Sequence, residues 1–315
     1  MIKSEICDLL NIKYPIIQGG MAWVADASLA SAVSNAGGLG LIAAMNSNGE
    51  QLRAEIKKCK TMTDKPFGVN IMLMSPSVDE VAKVVIEEKV QVVTTGAGNP
   101  SKYMKDWIAA GIKVIPIVPS VAIAKMVEKN GAVAVVAEGG ESGGHVGELT
   151  TMVIVPQVVY ALKIPVIAAG GIADGRQLAA AFMLGACGVQ VGTRFLVANE
   201  CTISKEYKQM VINARDISTT TTGKRLGHPV RAIKTPFLRE LLKLEYDTSV
   251  SLEDLEKSGS GALRLAAREG DTTNGWFMAG QVAAMIKKEQ SAEEIITEMF
   301  EEAEKCLLDG KKWVK

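Results

Sequence analysis

Apolar runs of strand length recur through the first two thirds of the chain, and segments of helical spacing separate them. Most runs are nearly continuous in apolar and β-branched residues, a pattern that is typical of parallel strands buried on both faces. Eight strands are therefore predicted, at Pro15–Gly20, Leu39–Ala44, Phe67–Met72, Val90–Gly96, Lys113–Ser120, Ala132–Gly139, Pro165–Ile172 and Gly188–Phe195.

Helices are predicted between these strands, because several of the separating segments begin at a capping Ser or Asp and end at a glycine. Repeated alternation of strand and helix indicates an α/β fold, and eight repeats favour a closed (β/α)8 TIM barrel over an open sheet. No G-x-G-x-x-G dinucleotide fingerprint follows the first strand, which further disfavours the open sheet. The predicted helices are Ala27–Ala36, Glu50–Lys60, Ser77–Glu88, Ser101–Ala110, Val121–Asn130, Met152–Leu162 and Asp174–Leu184.

The alternation of strand and helix stops after Phe195. We predict a barrel over residues 1–199, a small helical insertion or lid over residues 200–272 that forms a substrate wall, and C-terminal helices over residues 273–315 that return to the barrel. Within these parts, helical segments are predicted at Cys201–Ile217, Phe237–Glu245, Leu252–Lys257, Asn274–Lys288 and Ala292–Leu307, and a loop at Thr219–Gly223.

The composition and charge narrow the possible functions. The 315 residues carry no formal net charge, so no basic surface for nucleic acid is expected. No uninterrupted apolar run reaches the roughly 20 residues that span a membrane, and Met1–Asn11 lacks the core of a signal peptide. The five cysteines form no C-x-x-C pair, which argues against zinc and iron–sulfur sites and suits a reducing compartment. We expect a soluble, cytoplasmic protein that binds neither nucleic acid nor membrane.

The catalytic face of such a barrel lies at the C-terminal ends of its strands, so the residues that follow each predicted strand form the candidate site. Most of them are small, which lets a flat ligand lie close to the backbone. The amides of Gln18 and Asn70 have two interpretations, since they could read the edge of a heterocycle or cap the backbone at a strand end. The candidates for cofactor binding at these strand ends are Gly20, Met21, Ala22, Ala44, Asn70, Glu138, Ala169 and Gln190.

Glycine-rich turns follow the last two predicted strands. Gly170 and Gly171 precede a helix that begins near Asp174, and Gly192 and Thr193 follow the eighth strand. Glycines in such turns let backbone N–H groups point at a phosphate, and a helix N-terminus adds a favourable dipole. One such turn could simply reverse the chain, but barrels commonly bind phosphate at these two positions. The two turns together therefore predict a phosphate site.

A long glycine-rich loop follows the sixth predicted strand and carries one of the chain's two histidines. Imidazole donates a proton or a hydrogen bond near neutral pH, so His145 is the candidate catalytic residue. Ser142 and Gly143 in this loop are candidates for cofactor contacts, and Glu138 is either a partner of the cofactor or an anchor of the loop. The second histidine, His228, lies in the insertion, where a structural role explains it equally well.

A small and apolar segment, Gly275–Gln281, follows the insertion. Met278, Gly280 and Gln281 within it are candidates to cover a flat ring. Packing of a helix against the barrel is the competing interpretation of this segment.

Taken together, these motifs resemble the flavin-dependent enoyl-acyl-carrier-protein reductases of bacterial fatty-acid synthesis, the FabK type, within the wider nitronate monooxygenase (2-nitropropane dioxygenase) family. The resemblance covers essentially the whole chain, and Gly227–Arg231 and Phe277–Gln281 resemble the FabK type specifically. The other matching segments are Pro15–Ala22, Asn35–Gly40, Pro66–Asn70, Glu138–Gly139 with Gly143–Gly147, Ala168–Ile172 and Gln190–Phe195.

The resemblance implies FMN in the barrel mouth, NADH or NADPH as reductant, and an enoyl thioester on acyl carrier protein as substrate. It places the catalytic histidine at His145, which would hydrogen-bond the thioester carbonyl or supply the proton for the α-carbon. It also implies a homodimer and, in some members, dependence on a monovalent cation. Two alternatives stay open: a nitronate monooxygenase with the same flavin and oxygen as oxidant, and a flavin-binding protein without catalysis.

Overall fold

A computed structural model describes residues 2–45 and 47–314, and its main feature is a closed barrel of eight parallel strands. The strands pair in the order β1-β9-β8-β6-β5-β4-β3-β2, and a parallel bridge between Ile17 and Leu39 closes the cylinder. The predicted (β/α)8 barrel is therefore confirmed. In chain order the strands are β1 (Ile16–Gln18), β2 (Gly40–Ala43), β3 (Phe67–Met72), β4 (Val92–Gly96), β5 (Lys113–Val118), β6 (Val135–Glu138), β7 (Gly144–His145), β8 (Val166–Ala169), β9 (Gly188–Val191), β10 (Thr219–Thr222) and β11 (Val230–Ile233).

Helices connect the barrel strands and cover them from outside, and each helix predicted between two barrel strands is present. Asp174 accepts hydrogen bonds from backbone N–H groups at the start of its helix, in a capping box. The helices are α1 (Glu5–Leu10), α2 (Ala27–Asn35), α3 (Gly49–Met62), α4 (Val78–Glu87), α5 (Ser101–Ala109), α6 (Val121–Lys129), α7 (Thr151–Ala161), α8 (Gly175–Met183), α9 (Lys205–Ile212), α10 (Pro236–Tyr246), α11 (Leu252–Gly259), α12 (Ala262–Arg264) and α13 (Ala292–Asp309), with 3₁₀ turns at Thr193–Val197, Gln281–Met285 and Gly310–Trp313 and a π-helical turn at Leu265–Glu269.

Two apolar cores explain why the strands are apolar on both faces. Side chains alternate across a strand, so one set points into the barrel and the other points towards the helices. The inner core includes Leu41, Val92, Ile115 and Ile167, all buried, and Ile6 of α1 packs into the same cluster. The outer core lies between the strands and the helices. The short helix α1 was not among the predicted elements.

The insertion contains a small antiparallel sheet as well as helices, which corrects the prediction of a purely helical piece. Thr219–Gly223 was predicted as a loop, but β10 occupies most of it and pairs with β11. Threonine is β-branched and favours strands once a partner is available. β11 pairs in turn with β7, so this sheet joins the insertion to the loop that carries His145.

The helix predicted over Asn274–Lys288 is largely absent. Only Gln281–Met285 is helical, as a 3₁₀ turn. The preceding residues run beside β11, with Met278 bridged to Ala232 and the Ile233 N–H donating to the Phe277 carbonyl. This backbone pairing replaces the helical hydrogen bonds that the small and apolar residues would otherwise form. In the described residues, no helix is long and apolar enough to cross a membrane.

Candidate active site

A cavity of about 230 Å³ opens at the C-terminal ends of the barrel strands. The predicted site residues that line it are Gly20, Met21, Ala22, Asn70, Glu138, Ser142, Gly143, His145, Ala169, Gly170, Gly171, Gln190, Gly192, Thr193, Met278 and Gly280.

Two predicted binding residues, Ala44 and Gln281, lie outside the cavity lining. Ala44 is buried just after β2, and its N–H donates to the Asn70 carbonyl at 2.9 Å. The Gln281 side chain is exposed, and its N–H donates to the Glu141 carbonyl at 3.0 Å. Both residues therefore hold backbone in place around the site, and their role in cofactor binding stays a prediction.

The two strand-end amides that had two interpretations differ in role. Gln18 is fully buried, and its carbonyl oxygen accepts a hydrogen bond from the Leu41 N–H at 3.1 Å, so it caps backbone. Asn70 lines the cavity and accepts a hydrogen bond from the Thr94 hydroxyl at 2.8 Å. A Cβ on Gly20 would lie 2.1 Å from the Asn70 Cβ, so only glycine lets these two strand ends approach so closely.

The predicted phosphate site lies at the turns after β8 and β9, which both line the cavity. Gly170 and Gly171 have φ of 92° and 72°, the left-handed region that favours glycine. In the described part of the chain, no acceptor pairs with the backbone N–H of Gly171 or Gly192. The Thr193 hydroxyl accepts from the Gly280 N–H at 2.9 Å, which leaves its own hydrogen free to donate. These free donors suit an anion.

The N-terminus of α8, by contrast, has little to offer a phosphate. The Asp174 carboxylate accepts from the Arg176 N–H at 2.9 Å, and the Glu302 carboxylate accepts from the Gly175 N–H at 2.8 Å. The Gln177 side chain accepts from the N–H of Ala173. Since side chains already satisfy these donors, the glycine turns offer more free N–H groups to an anion than the N-terminus of α8 does.

The loop after β6 reaches the cavity as an ordered segment. Arg231 of β11 donates to the Gly140 carbonyl through Nε at 3.2 Å and Nη2 at 3.0 Å. Gly143 packs so tightly that a Cβ would lie 2.5 Å from the backbone of Ala279. His145 follows, paired with Val230 in the small sheet. The long glycine-rich loop is therefore held by hydrogen bonds and close packing at both its start and its end.

His145 lies at the cavity mouth with an exposed side chain. Desolvation by the surrounding walls lowers the pKa of its imidazole, and the nearby His228 lowers it further. The ring centroids of these two histidines are 6.2 Å apart. At neutral pH His145 is therefore a neutral imidazole that can donate a hydrogen bond through one ring nitrogen.

Unsatisfied polar groups line the inner cavity. Burial raises the pKa of the Glu138 carboxyl to about 7. Among the described residues, the Ser142 hydroxyl and the Gln190 carbonyl oxygen are buried without a hydrogen-bond partner. Buried polar groups are rarely left unpaired, so these atoms call for a polar ligand. An FMN, with a phosphate and a ring edged by donors and acceptors, fits this arrangement of free amides and unpaired side chains.

Two residues that shape the site were not predicted from the sequence. The Glu141 carboxylate accepts from the Thr151 N–H and hydroxyl, both at 2.9 Å, and so caps α7. Tyr207 is buried beside the cavity, and its hydroxyl donates to the Met278 carbonyl at 2.6 Å. Glu141 contacts a residue ten positions away and Tyr207 one 71 positions away, and no local motif marks either residue. Among the described residues, no group of three or more His, Cys, Asp or Glu side chains is placed to hold a metal ion.

Comparison with known proteins shows the family. The family model of nitronate monooxygenase matches residues 3–88 and 76–302. The structure of FabK from Thermotoga maritima is 46% identical, with a TM-score of 0.97 over 100% of both chains. A probable nitronate monooxygenase of Staphylococcus saprophyticus is 33% identical, over 91% of this chain and 94% of its own.

A third relative acts on a coenzyme A thioester, according to its description. It is a (3aS,4S,5R,7aS)-5-hydroxy-7a-methyl-1-oxo-octahydro-1H-indene-4-carboxyl-CoA dehydrogenase of Rhodococcus jostii, 39% identical over 76% of this chain and 68% of its own. The family model covers most of the described chain, and the fold and cavity agree with it. The chain therefore belongs to the nitronate monooxygenase family of flavin oxidoreductases.

Proposed function

We propose that this protein is an FMN-dependent enoyl-acyl-carrier-protein reductase, which uses NADH or NADPH to reduce trans-2-enoyl thioesters in fatty-acid elongation. The observation that carries the proposal is the full-length likeness to the Thermotoga FabK, which includes the insertion. The relative that dehydrogenates a coenzyme A thioester supports a thioester substrate.

The residues of the cavity fit FMN. The N–H groups of Gly171 and Gly192 and the Thr193 hydroxyl would hold the phosphate. Asn70, Glu138, Ser142 and Gln190 would hydrogen-bond the polar edges of the ring. When bound, FMN would supply hydride transfer, while the protein supplies orientation and electrostatics.

The substrate side of the cavity is formed by the insertion and the segment after it. Leu263, Met278 and Val282 give it an apolar lining, which suits an acyl chain. His145 stands at its mouth as a neutral imidazole. A neutral imidazole favours hydrogen bonding to the thioester carbonyl, where negative charge develops on reduction, over outright proton donation.

The proposal is tested with the purified protein under anaerobic conditions. We expect a yellow protein that NADH or NADPH bleaches, and whose colour returns on addition of crotonyl-acyl carrier protein. Crotonyl-coenzyme A is the matched control without the carrier, and a lower rate with it would show that the carrier is recognised. A colourless protein that takes up no flavin would overturn the proposal.

A nitronate monooxygenase is the second candidate, and the Staphylococcus saprophyticus relative favours it. The same preparation distinguishes the two. If neither nicotinamide nucleotide bleaches the flavin and a nitronate drives oxygen uptake, the protein is a monooxygenase. The full-length likeness to FabK, insertion included, favours the reductase.

We also propose that the protein is a homodimer. α7 contains no charged residue and exposes apolar side chains, with Met152 65% and Tyr160 95% accessible. An exposed apolar patch on a helix without charged residues marks an interaction surface, so a second copy is the proposed cover for this face. Sedimentation velocity should give a dimer for the wild type and a monomer for Tyr160→Glu, and an unchanged dimer would exclude this face.

A further inference from the structure

The chain's two histidines come together although 83 positions of sequence separate them. Their ring centroids lie 6.2 Å apart, with the planes at 87° in an edge-to-face arrangement. His145 lies on β7 and pairs with Val230, and the Val146 N–H donates to the Pro229 carbonyl at 3.0 Å. These backbone contacts between the loop of His145 and the strand after His228 keep the two imidazoles close to each other.

The turn that carries His228 is itself held in place. The buried Glu245 carboxylate accepts from the N–H groups of Gly223 and Arg225, both at 3.0 Å. The Arg225 guanidinium donates to the Asp247 carbonyl at 2.7 Å. A Cβ on Gly223 would lie 2.9 Å from the His228 carbonyl oxygen, so the turn is also tightly closed. The position of His228 is therefore fixed by the insertion.

We propose that His228 is a positioning residue for His145, holding that ring at the cavity mouth and keeping it neutral while substrate binds. This inference rests on the proposed catalytic role of His145. It gives a function to the second histidine, for which a structural role in a loop was the alternative.

The physical basis is electrostatic repulsion, because a proton on one imidazole disfavours a proton on the other. Desolvation by the cavity walls is the first cause of the lowered pKa of His145, and His228 is the second. Other charged groups on the surrounding elements are Glu138 and Glu141 in the cavity lining, Glu148 in the same loop, Arg231 on β11, and Lys224, Arg225 and Glu245 at the turn. Desolvation and His228 are the causes of the pKa shift of His145 among the described residues, and none of these other groups contributes to it.

The test follows the two histidines by NMR in the flavin-loaded protein. With only two imidazoles in the chain, His228→Asn leaves a single titrating signal and assigns both. We expect the proton affinity of His145 to rise about threefold in this variant, the size of the repulsion between unit charges about 6 Å apart in water. The acidic limb of the pH profile of kcat should move to higher pH by the same factor. The NMR signal is independent of the substrate, so it tests this inference even if the proposed reaction is wrong.

Lys224→Gln is the matched control, because it removes a positive charge from the same turn at an exposed position. It should move the His145 titration less than His228→Asn does. His228→Gln is the second variant, and an unchanged flavin spectrum in either histidine variant shows that the site is intact. An unchanged His145 titration in a variant with an intact flavin spectrum would overturn the proposal. An equal effect of Lys224→Gln would also overturn it, because the shift would then come from the general charge of the turn.

Discussion

The two walls of the cavity are built in different ways. The barrel wall consists of the strand ends and the turns after β8 and β9, and each of its elements is fixed by a parallel ladder. The insertion wall consists of β10, β11 and Trp276–Gly280, and it meets the barrel through a few specific contacts. These include the two hydrogen bonds from Arg231 to the Gly140 carbonyl and the one from the Gly280 N–H to Thr193.

We infer from this difference that the two walls have different roles. The barrel wall holds the free amides and the unpaired Gln190 carbonyl oxygen, which suit a flavin. The insertion wall pairs with β7 and so sets the position of His145 and the apolar side of the cavity. Relatives that share the family differ in what their names say they act on. Changes in the insertion wall, with the barrel wall kept, provide a structural route to such differences.

The largest effect is expected from substitution of His145, which lies on the insertion side of the cavity. His145→Ala should lower kcat for the enoyl thioester by about 10²–10⁴-fold, the usual contribution of a positioned acid or hydrogen-bond donor. Flavin content should stay unchanged, because His145 belongs to the insertion side. Stopped-flow bleaching and recovery of the flavin measure the two half-reactions separately. Recovery at the wild-type rate would remove His145 from the mechanism.

The next largest expected effect is the change with pH that Glu138 causes in the free energy of unfolding. Its pKa rises from 4.5 to about 7 in the folded state, which at about 1.4 kcal/mol per pH unit amounts to about 3 kcal/mol. Below pH 4.5 both folded and unfolded states are protonated and nothing is lost. As pH rises to 7 the unfolded state ionises first, so the free energy of unfolding of the flavin-free protein falls.

Glu138→Gln removes this dependence. Its stability relative to wild type, measured by chemical denaturation without flavin, should increase between pH 5 and pH 8. Glu148→Gln is the control, an exposed carboxylate in the same loop, and should show no such trend. Parallel pH curves for wild type and Glu138→Gln would show that the Glu138 carboxyl is not desolvated.

A smaller effect is expected where the barrel wall is disturbed at Gly170. Gly170 has a φ of 92°, a backbone conformation that alanine rarely adopts. An alanine Cβ would also lie only 2.6 Å from the Gly139 carbonyl oxygen. We expect Gly170→Ala to cost about 1–3 kcal/mol and to weaken FMN binding about tenfold or more. Fluorescence titration of the flavin-free protein measures this. Gly147→Ala, where the nearest atom is 3.4 Å away, should bind FMN normally.

The barrel wall could be predicted from the sequence because its signals are local. Each barrel strand falls within a predicted run, and the glycine turns follow from strand ends that the fold brings to one face. The same turns were predicted to gain the dipole of a helix N-terminus, but at α8 side chains already accept from the backbone N–H groups. One of these side chains, Glu302, lies far along the chain, so no local pattern shows that the Gly175 N–H is satisfied.

The insertion wall was less predictable because its contacts are distant in sequence. The threonines of β10 form a strand only once β11 is beside them, and β11 pairs with β7, some 85 residues earlier. Tyr207 acts on the Met278 carbonyl 71 positions away. The segment after the insertion has small residues at helical spacing, yet its backbone pairs with β11. In each case tertiary pairing outweighs the local pattern.

The smallest effect is expected from substitution of Arg231, whose side chain connects the insertion wall to the loop after β6. Arg231→Met removes both hydrogen bonds to the Gly140 carbonyl and loosens the loop that carries His145. We expect kcat to fall about tenfold, a loss of about 1.4 kcal/mol, while flavin content and FMN affinity stay at wild-type values. Arg239→Met is the control, an exposed arginine of the same insertion, and should leave both quantities unchanged. The opposite result would be a loss of flavin in Arg231→Met with an unchanged kcat per bound flavin. In that case the contact between Arg231 and Gly140 supports the cofactor site, and the assignment of cofactor binding to one wall and substrate binding to the other is wrong.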